Sequence, residues 1–248
     1  MYFDNHRWIL IRHLSEALVA GLLLASAAAS QASSGCTAHP LSRVVAEFHV
    51  RDVGVLQALL QLGRENAICF GIESAEKQAF QHKVDLDARN EPALDVIKRM
   101  LSGFDPPYLV SEQDGVAVIR LRRVLTQTWL DYNVPSFKSR RGPLQEVNHT
   151  LHMTLLRETR PGLKGIAGHY YAGNPATLVG PFDEKNRTLR QLLNELLINT
   201  PGGGIWVVHR SALKEGPAPM RPFWTVVDYI DPLEMTSGLI RGILTDGW

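Results

Sequence analysis

Glu146-x-x-His149-x-x-His152 sets a carboxylate and two imidazoles at intervals of three, the neighbour spacing on a helix. With His169 as a further imidazole, this is the material of a divalent-metal site. The His-Glu-x-x-His order of the zinc helix is absent. Taking Leu144 as origin and about 100° per residue, His152 falls near ~80°, His149 near ~140° and Glu146 near ~200°. The three fan out across the polar side, which predicts ordinary exposed helix residues, with metal ligation as the alternative.

Other chemistry is weaker. Nucleophilic hydrolysis needs a nucleophile held against a base, and no G-x-S-x-G is present. Gly202-Gly203-Gly204 lacks the Lys-Ser/Thr of a phosphate loop and reads as a turn before a strand. Asp85 and Asp87 alternate on the solvent face of a strand. Glu91 and Asp95 stand in a helix's first turns, where negative charge suits the dipole. No cofactor motif emerges, and the expectation is a protein without enzymatic activity.

Two cysteines exclude a Cys-only zinc site and a dense disulfide scaffold. Their meaning depends on the N-terminus. Ala17–Ala29 reads ALVAGLLLASAAA, uncharged and too short to cross a bilayer core of ~30 Å. It matches the apolar region of a secretory signal, with Ala27-Ala28-Ala29 or Ser30-Gln31-Ala32 as the cleavage tripeptide. An uncleaved anchor is the alternative. Export favours a Cys36–Cys69 disulfide, because an unpaired exported thiol is a liability. A buried Cys69 thiol and a lipidated Cys36 are the competing readings. Removing residues 1–32 takes away two basic and two acidic residues, so the formal charge stays at +1. That is too little to argue for nucleic acid. The basic residues Arg120, Arg122, Arg123, Lys138, Arg140 and Arg141 read as solvated. No other segment is apolar enough for an integral membrane span.

The elements that position these groups are legible from Ala46 onward. Glu47-Phe48-His49-Val50 alternates as a strand, and Asp52 offers an N-cap. Leu56, Leu59, Leu60 and Gly63 form one helical face. Strands follow at Cys69–Ile72 and Val84–Ala88. Glu91-Pro92 opens a helix with Leu94, Ile97 and Leu101 inside, ended by Gly103. Tyr108–Val110 and Val116–Ile119 flank Asp114-Gly115, a strong hairpin signal. The order is βαββαββ. It implies an α+β fold of small mixed β-sheets with amphipathic helices on one face.

Residues ~46–121 resemble the secretin/TonB short N-terminal domain family. The resemblance rests on Phe48, Val50, Leu56, Leu59, Leu60, Val84, Leu86, Asn90, Leu94, Leu101, Gly103 and Tyr108. These are mostly core positions, specific for fold and poor for activity. The family implies a periplasmic, non-enzymatic interaction module attached to outer-membrane pores or receptors. Nothing downstream reads as the strands of such a pore.

The second half looks like a diverged copy of the same unit. Trp129–Val134 is strand-like, and Leu144, Val147, Leu151 and Leu155 mark a helix. His169-Tyr170-Tyr171 sits in a candidate strand. Phe182–Asn186 echoes Leu86–Asn90, and a leucine-striped helix follows behind a Thr188/Gln191 capping box. Asp87 and Asp183 are 96 residues apart, Leu94 and Leu189 are 95. The expected organisation is a signal peptide (1–32), a linker (33–45), a short N-terminal-like domain (46–123), its diverged copy (124–211), and a linker with tail (212–248). Phe48, His49 and Val50 are the candidate binding strand, with the 108–119 hairpin as a second surface. The expected partners are envelope proteins or a second copy, captured through sheet edges.

Overall fold

A computed structural model describes residues 35–75, 82–104, 107–121, 129–159, 177–209 and 224–228. The signal segment, the candidate strand at His169 and most of the tail lie outside the described residues.

The first half runs β1 (Val44–Gly54), α1 (Val55–Asn66), β2 (Phe70–Ala75), β3 (Lys83–Pro92), α2 (Ala93–Met100), β4 (Tyr108–Gln113) and β5 (Val116–Leu121). This is the βαββαββ order. The second half has a 3-10 turn (Trp129–Asp131), β6 (Asn133–Ser139), β7 (Gly142–Pro143) and α3 (Leu144–Thr159). It continues with β8 (Leu178–Val179), β9 (Phe182–Thr188), α4 (Leu189–Ile198), β10 (Gly204–His209) and β11 (Trp224–Asp228).

Two ribbons, a short two-residue pairing and one shared sheet organise these elements. β1 pairs with β3, β6 with β9, and the short β7 with β8, all antiparallel. The five-stranded sheet has the order β11-β10-β2-β5-β4, with β10 and β5 both parallel to β2. Each ribbon carries helices on one face. The five-stranded sheet carries them on both. Phe70, Ile72, Ala117, Ile119, Ile205 and Val207 pack with α1, α2 and the β1/β3 ribbon. Val116, Val118, Trp206 and Val208 pack with α3, α4 and the β6/β9 ribbon. A sheet covered on both faces needs nearly continuous apolar strands, and Val116–Ile119 and Ile205–Val208 supply them.

The helices sit between a ribbon and the sheet, so more than one face of each is buried. In α1 that includes Val55, Leu56, Ala58, Leu59, Leu60, Leu62 and Gly63. Its N-cap is Gly54. Asp52, expected to cap it, instead lies inside β1 with a φ of 51°, where the β1/β3 register shifts. A bulge there takes up the extra residue and keeps Val50 and Val53 in the ladder. The Asp114-Gly115 turn has φ of 50° and 74°, the left-handed pair of a tight hairpin.

Buried positions of the two halves match along the ribbons and helices. Val45 and Val134, Phe48 and Phe137, and Leu62 and Leu151 are buried pairs 89 residues apart. Leu86 and Phe182, Val96 and Leu192, and Ile97 and Leu193 are buried pairs 96 apart. Their backbone bonds correspond too. Ala93 N–H donates to Arg43 O at 2.8 Å, and Leu189 N–H to Tyr132 O at 3.0 Å. Asn90 and Asn186 both take left-handed φ, of 52° and 51°. The partner of Leu189 is therefore Ala93, not Leu94, and from Leu86 onward the shift is 96 residues; Leu94 corresponds to Arg190.

The hairpins break the correspondence. β4 and β10 start 96 residues apart, at Tyr108 and Gly204. β4 lies at the sheet's edge, while β10 lies against β2. The second half thus shares the sheet of the first, and β2 hydrogen-bonds to both.

Candidate interaction edge

The β1/β3 ribbon has one face in the core and one in solvent. Phe48 and Val50 point inward and are buried; His49 is exposed. On the solvent face Glu47 meets Arg89 at 3.4 Å, Lys83 meets Asp52, and Asp87 bonds both Arg51 and His49. The hydrogen bond from Arg51, then that from His49, holds the Asp87 carboxyl below its ordinary range.

The two outer edges of this ribbon differ. The Asp87 carbonyl accepts from Arg99 Nη2 of α2 at 2.7 Å. Asp87 stands directly opposite His49. Ala93 N–H donates across the ribbon to Arg43 O, and Val45, of the same alternation, faces the core. The core-facing Phe48 and Val50 therefore turn their backbone groups to β3, and the exposed His49 and Asp87 turn theirs away from the ladder. Arg99 therefore occupies the β3 edge at Asp87, and on the β1 edge no described strand pairs with the outward backbone N–H and C=O of His49. Of the three candidate residues, Phe48 and Val50 spend their backbone groups on β3. His49 alone offers its own outward.

The second surface, β4, is the terminal strand of the five-stranded sheet. Tyr108 anchors it in the core, and His39 Nδ1 approaches Glu112 at 3.2 Å beside it.

The corresponding ribbon edge in the second half is shorter. Lys138 and Asp183 pair there at 2.8 Å, which raises the Lys138 pKa and lowers that of Asp183. An open cleft of about 650 Å³ lies beside them, lined by Lys138, Ser139, Arg140, Pro181, Phe182 and Asp183.

The metal candidates do not come together. Glu146 and His149 are exposed, while His152 is 3% exposed, and His169 lies outside the described residues. Among the described residues no three His, Cys, Asp or Glu groups are placed to hold a metal ion. The expectation of an exposed His152 is corrected. It sits next to Leu151 on the face that α3 buries against the ribbon and sheet. Burial, then the nearby charge of His149, pushes its pKa down to about 4.

Cys36 and Cys69 form a disulfide with Cα atoms 5.5 Å apart. It pins a strap running from Gly35. Thr37 N–H donates to Ala67 O at 2.8 Å, beyond α1. A Cβ on Gly35 would stand 2.2 Å from Thr200 O, beyond α4, so only glycine fits there. The strap touches both halves.

Three further contacts bind the halves, and no spacing in the chain signals their pairing. Trp206 is fully buried over Gly71, where a Cβ would come within 2.2 Å of the indole. Its Nε1–H donates to Asn194 Oδ1 at 2.8 Å, and Asn194 Nδ2 donates to Gln113 O at 3.2 Å. Arg190 bonds Glu73 of β2 at 2.5 Å and also Asp131. Burial alone would lower the Arg190 pKa; its hydrogen bonds to the two carboxylates outweigh that and raise it. A charged residue midway along an apolar run, such as Glu73 after Phe70–Ile72, was the available hint of a buried partner. No family model, curated protein or solved structure matches this chain.

Proposed function

We propose that this protein is an exported, non-enzymatic interaction module of the bacterial cell envelope. It would act like the periplasmic short N-terminal domains of secretins and TonB-dependent receptors, which residues ~46–121 resemble. Partners add a strand to an open sheet edge. The observation that carries the reading is the asymmetry of the first ribbon: Arg99 occupies the β3 edge at Asp87, and no strand among the described residues pairs with the β1 edge at His49. An edge strand presents unpaired backbone groups to which another strand can add, here over the stretch before the bulge at Asp52. The disulfide supports export, since such bonds persist in oxidising compartments. The signal-like residues 1–32 agree with it.

The test is capture of envelope proteins by the tagged chain and by its His49→Pro variant. Proline at 49 removes the outward N–H and leaves the amides of Phe48 and Val50 to β3. Capture is expected to fall at least tenfold with the melting temperature nearly unchanged. Equal capture by the variant sinks the edge reading. N-terminal sequencing of the purified protein is expected to start after Ala29 or Ala32; a start at Met1 overturns export through this signal.

A further inference from the structure

The residues around His49 have a symmetry that selects one partner. In Glu47-Phe48-His49-Val50-Arg51 an acid and a base stand at equal distances from the histidine, with an apolar residue on each side. We propose that the open β1 edge pairs with β1 of a second copy of this chain, antiparallel, about a two-fold axis at His49. This rests on the edge reading above and names its occupant.

The backbone requirement is met by position. The outward groups of His49 exchange two hydrogen bonds with the outward groups of His49 in the second copy. Two residues either way, Glu47 stands opposite Arg51 of the second copy, and Arg51 opposite its Glu47. Opposite charges directly across an antiparallel pair are favourable, and like charges are not. Shifting the pairing by two residues loses this match, so the charges also fix the register. On the inner face Phe48 comes beside Val50 of the second copy, and the apolar layer over the helices continues across the axis.

The solvent face continues as well. Each Glu47 already touches Arg89, and each Arg51 already bonds Asp87. Pairing therefore extends an alternation of base, acid, base, acid across four strands. The bulge at Asp52 and the loss of register before Val53 stop the ladder on one side. A contact this short is small for a stable interface, so association is expected to be weak. A closed two-fold pair also consumes the edge and prevents open-ended growth.

Analytical ultracentrifugation of the chain as purified from the expressing cell tests this, at concentrations from about 10 μM to about 1 mM. The expected result is a monomer–dimer equilibrium in that range. Glu47→Arg sets arginine against arginine twice and should weaken the dimer about tenfold, as should Arg51→Glu. The double variant Glu47→Arg/Arg51→Glu restores opposite charges and should return to within about threefold of the parent. That rescue excludes misfolding as the cause of the single-variant loss. A monomer throughout, or a dimer indifferent to both single variants, overturns the proposal. A monomer that still captures envelope proteins in a His49-dependent way overturns self-pairing alone and leaves the wider reading standing.

Discussion

In the first half, Leu94 and Val110 are half-buried and Lys98 is exposed. The corresponding residues in the second half, 96 positions on, are Arg190, Asn194 and Trp206. All three are turned against the first half: Arg190 onto Glu73, Asn194 onto Gln113, and Trp206 into the space left by Gly71. The first half supplies three strands of the sheet, β2, β5 and β4; the second inserts β10 beside β2 and covers the sheet's other face. Two halves of like element order need not make two independent bodies. Where one half turns a tryptophan, an amide and a guanidinium onto the other, the two are expected to unfold together.

That comparison breaks first at Trp206. Trp206→Ala should cost about 3–5 kcal/mol through its cavity. Val110→Ala, its counterpart in the first half, should cost about 1 kcal/mol. Urea denaturation followed by fluorescence and by circular dichroism should give one coincident transition in both variants. Two separated transitions in the parent would show that the halves unfold independently.

The strap comes next. Reducing Cys36–Cys69 under mild conditions should lower stability by about 3–4 kcal/mol, the chain-entropy value for a loop of this length. A Cys36→Ser/Cys69→Ser chain with an unshifted denaturation midpoint would show that the strap's packing suffices without the bond.

A pH difference separates the halves at His152, whose counterpart 89 residues earlier is Gly63. The unfolded chain takes up this proton as pH falls through 6.5, the folded chain only near about 4. The unfolded state therefore binds more protons in that window. The contribution is whole above pH 6.5, declines as pH falls and is lost by about pH 4. The loss should approach about 2–3 kcal/mol. His152→Leu should flatten that limb of the stability profile, and an unchanged acid slope would contradict the burial of this imidazole.

The smallest contrast lies in the helix starts. Thr188 caps α4 through a reciprocal box with Gln191, whereas Pro92 at the start of α2 makes no side-chain cap. Thr188→Ala should cost about 1 kcal/mol. Pro92→Ala should leave the melting temperature nearly unchanged. Equal losses at both positions would remove the distinction.

Much of this was legible in the residues. The alternation at Glu47–Val50, the Asp114-Gly115 turn, the leucine stripe of α4 and its capping box are local signals, and the chain folds locally as they indicate. The burial of His152 was not legible. At roughly 80° from Leu144 it sits at the boundary of the apolar face, and how wide that face is depends on what packs against it. The open edge was legible only as a strand. Arg99 reaching back to the Asp87 carbonyl joins α2 to β3 across a distance no spacing rule describes.

By itself the sequence determined the α+β alternation and the hairpin and capping signals, because periodicity, turns and caps act within a few residues of one another. Only the tertiary structure decided that both halves share one sheet, that β10 rather than β11 lies against β2, and that Arg99 meets the β3 side of the first ribbon rather than the β1 side. Those outcomes depend on shape and charge meeting across the chain: a tryptophan over a glycine, an arginine between two carboxylates, and an arginine closing a carbonyl.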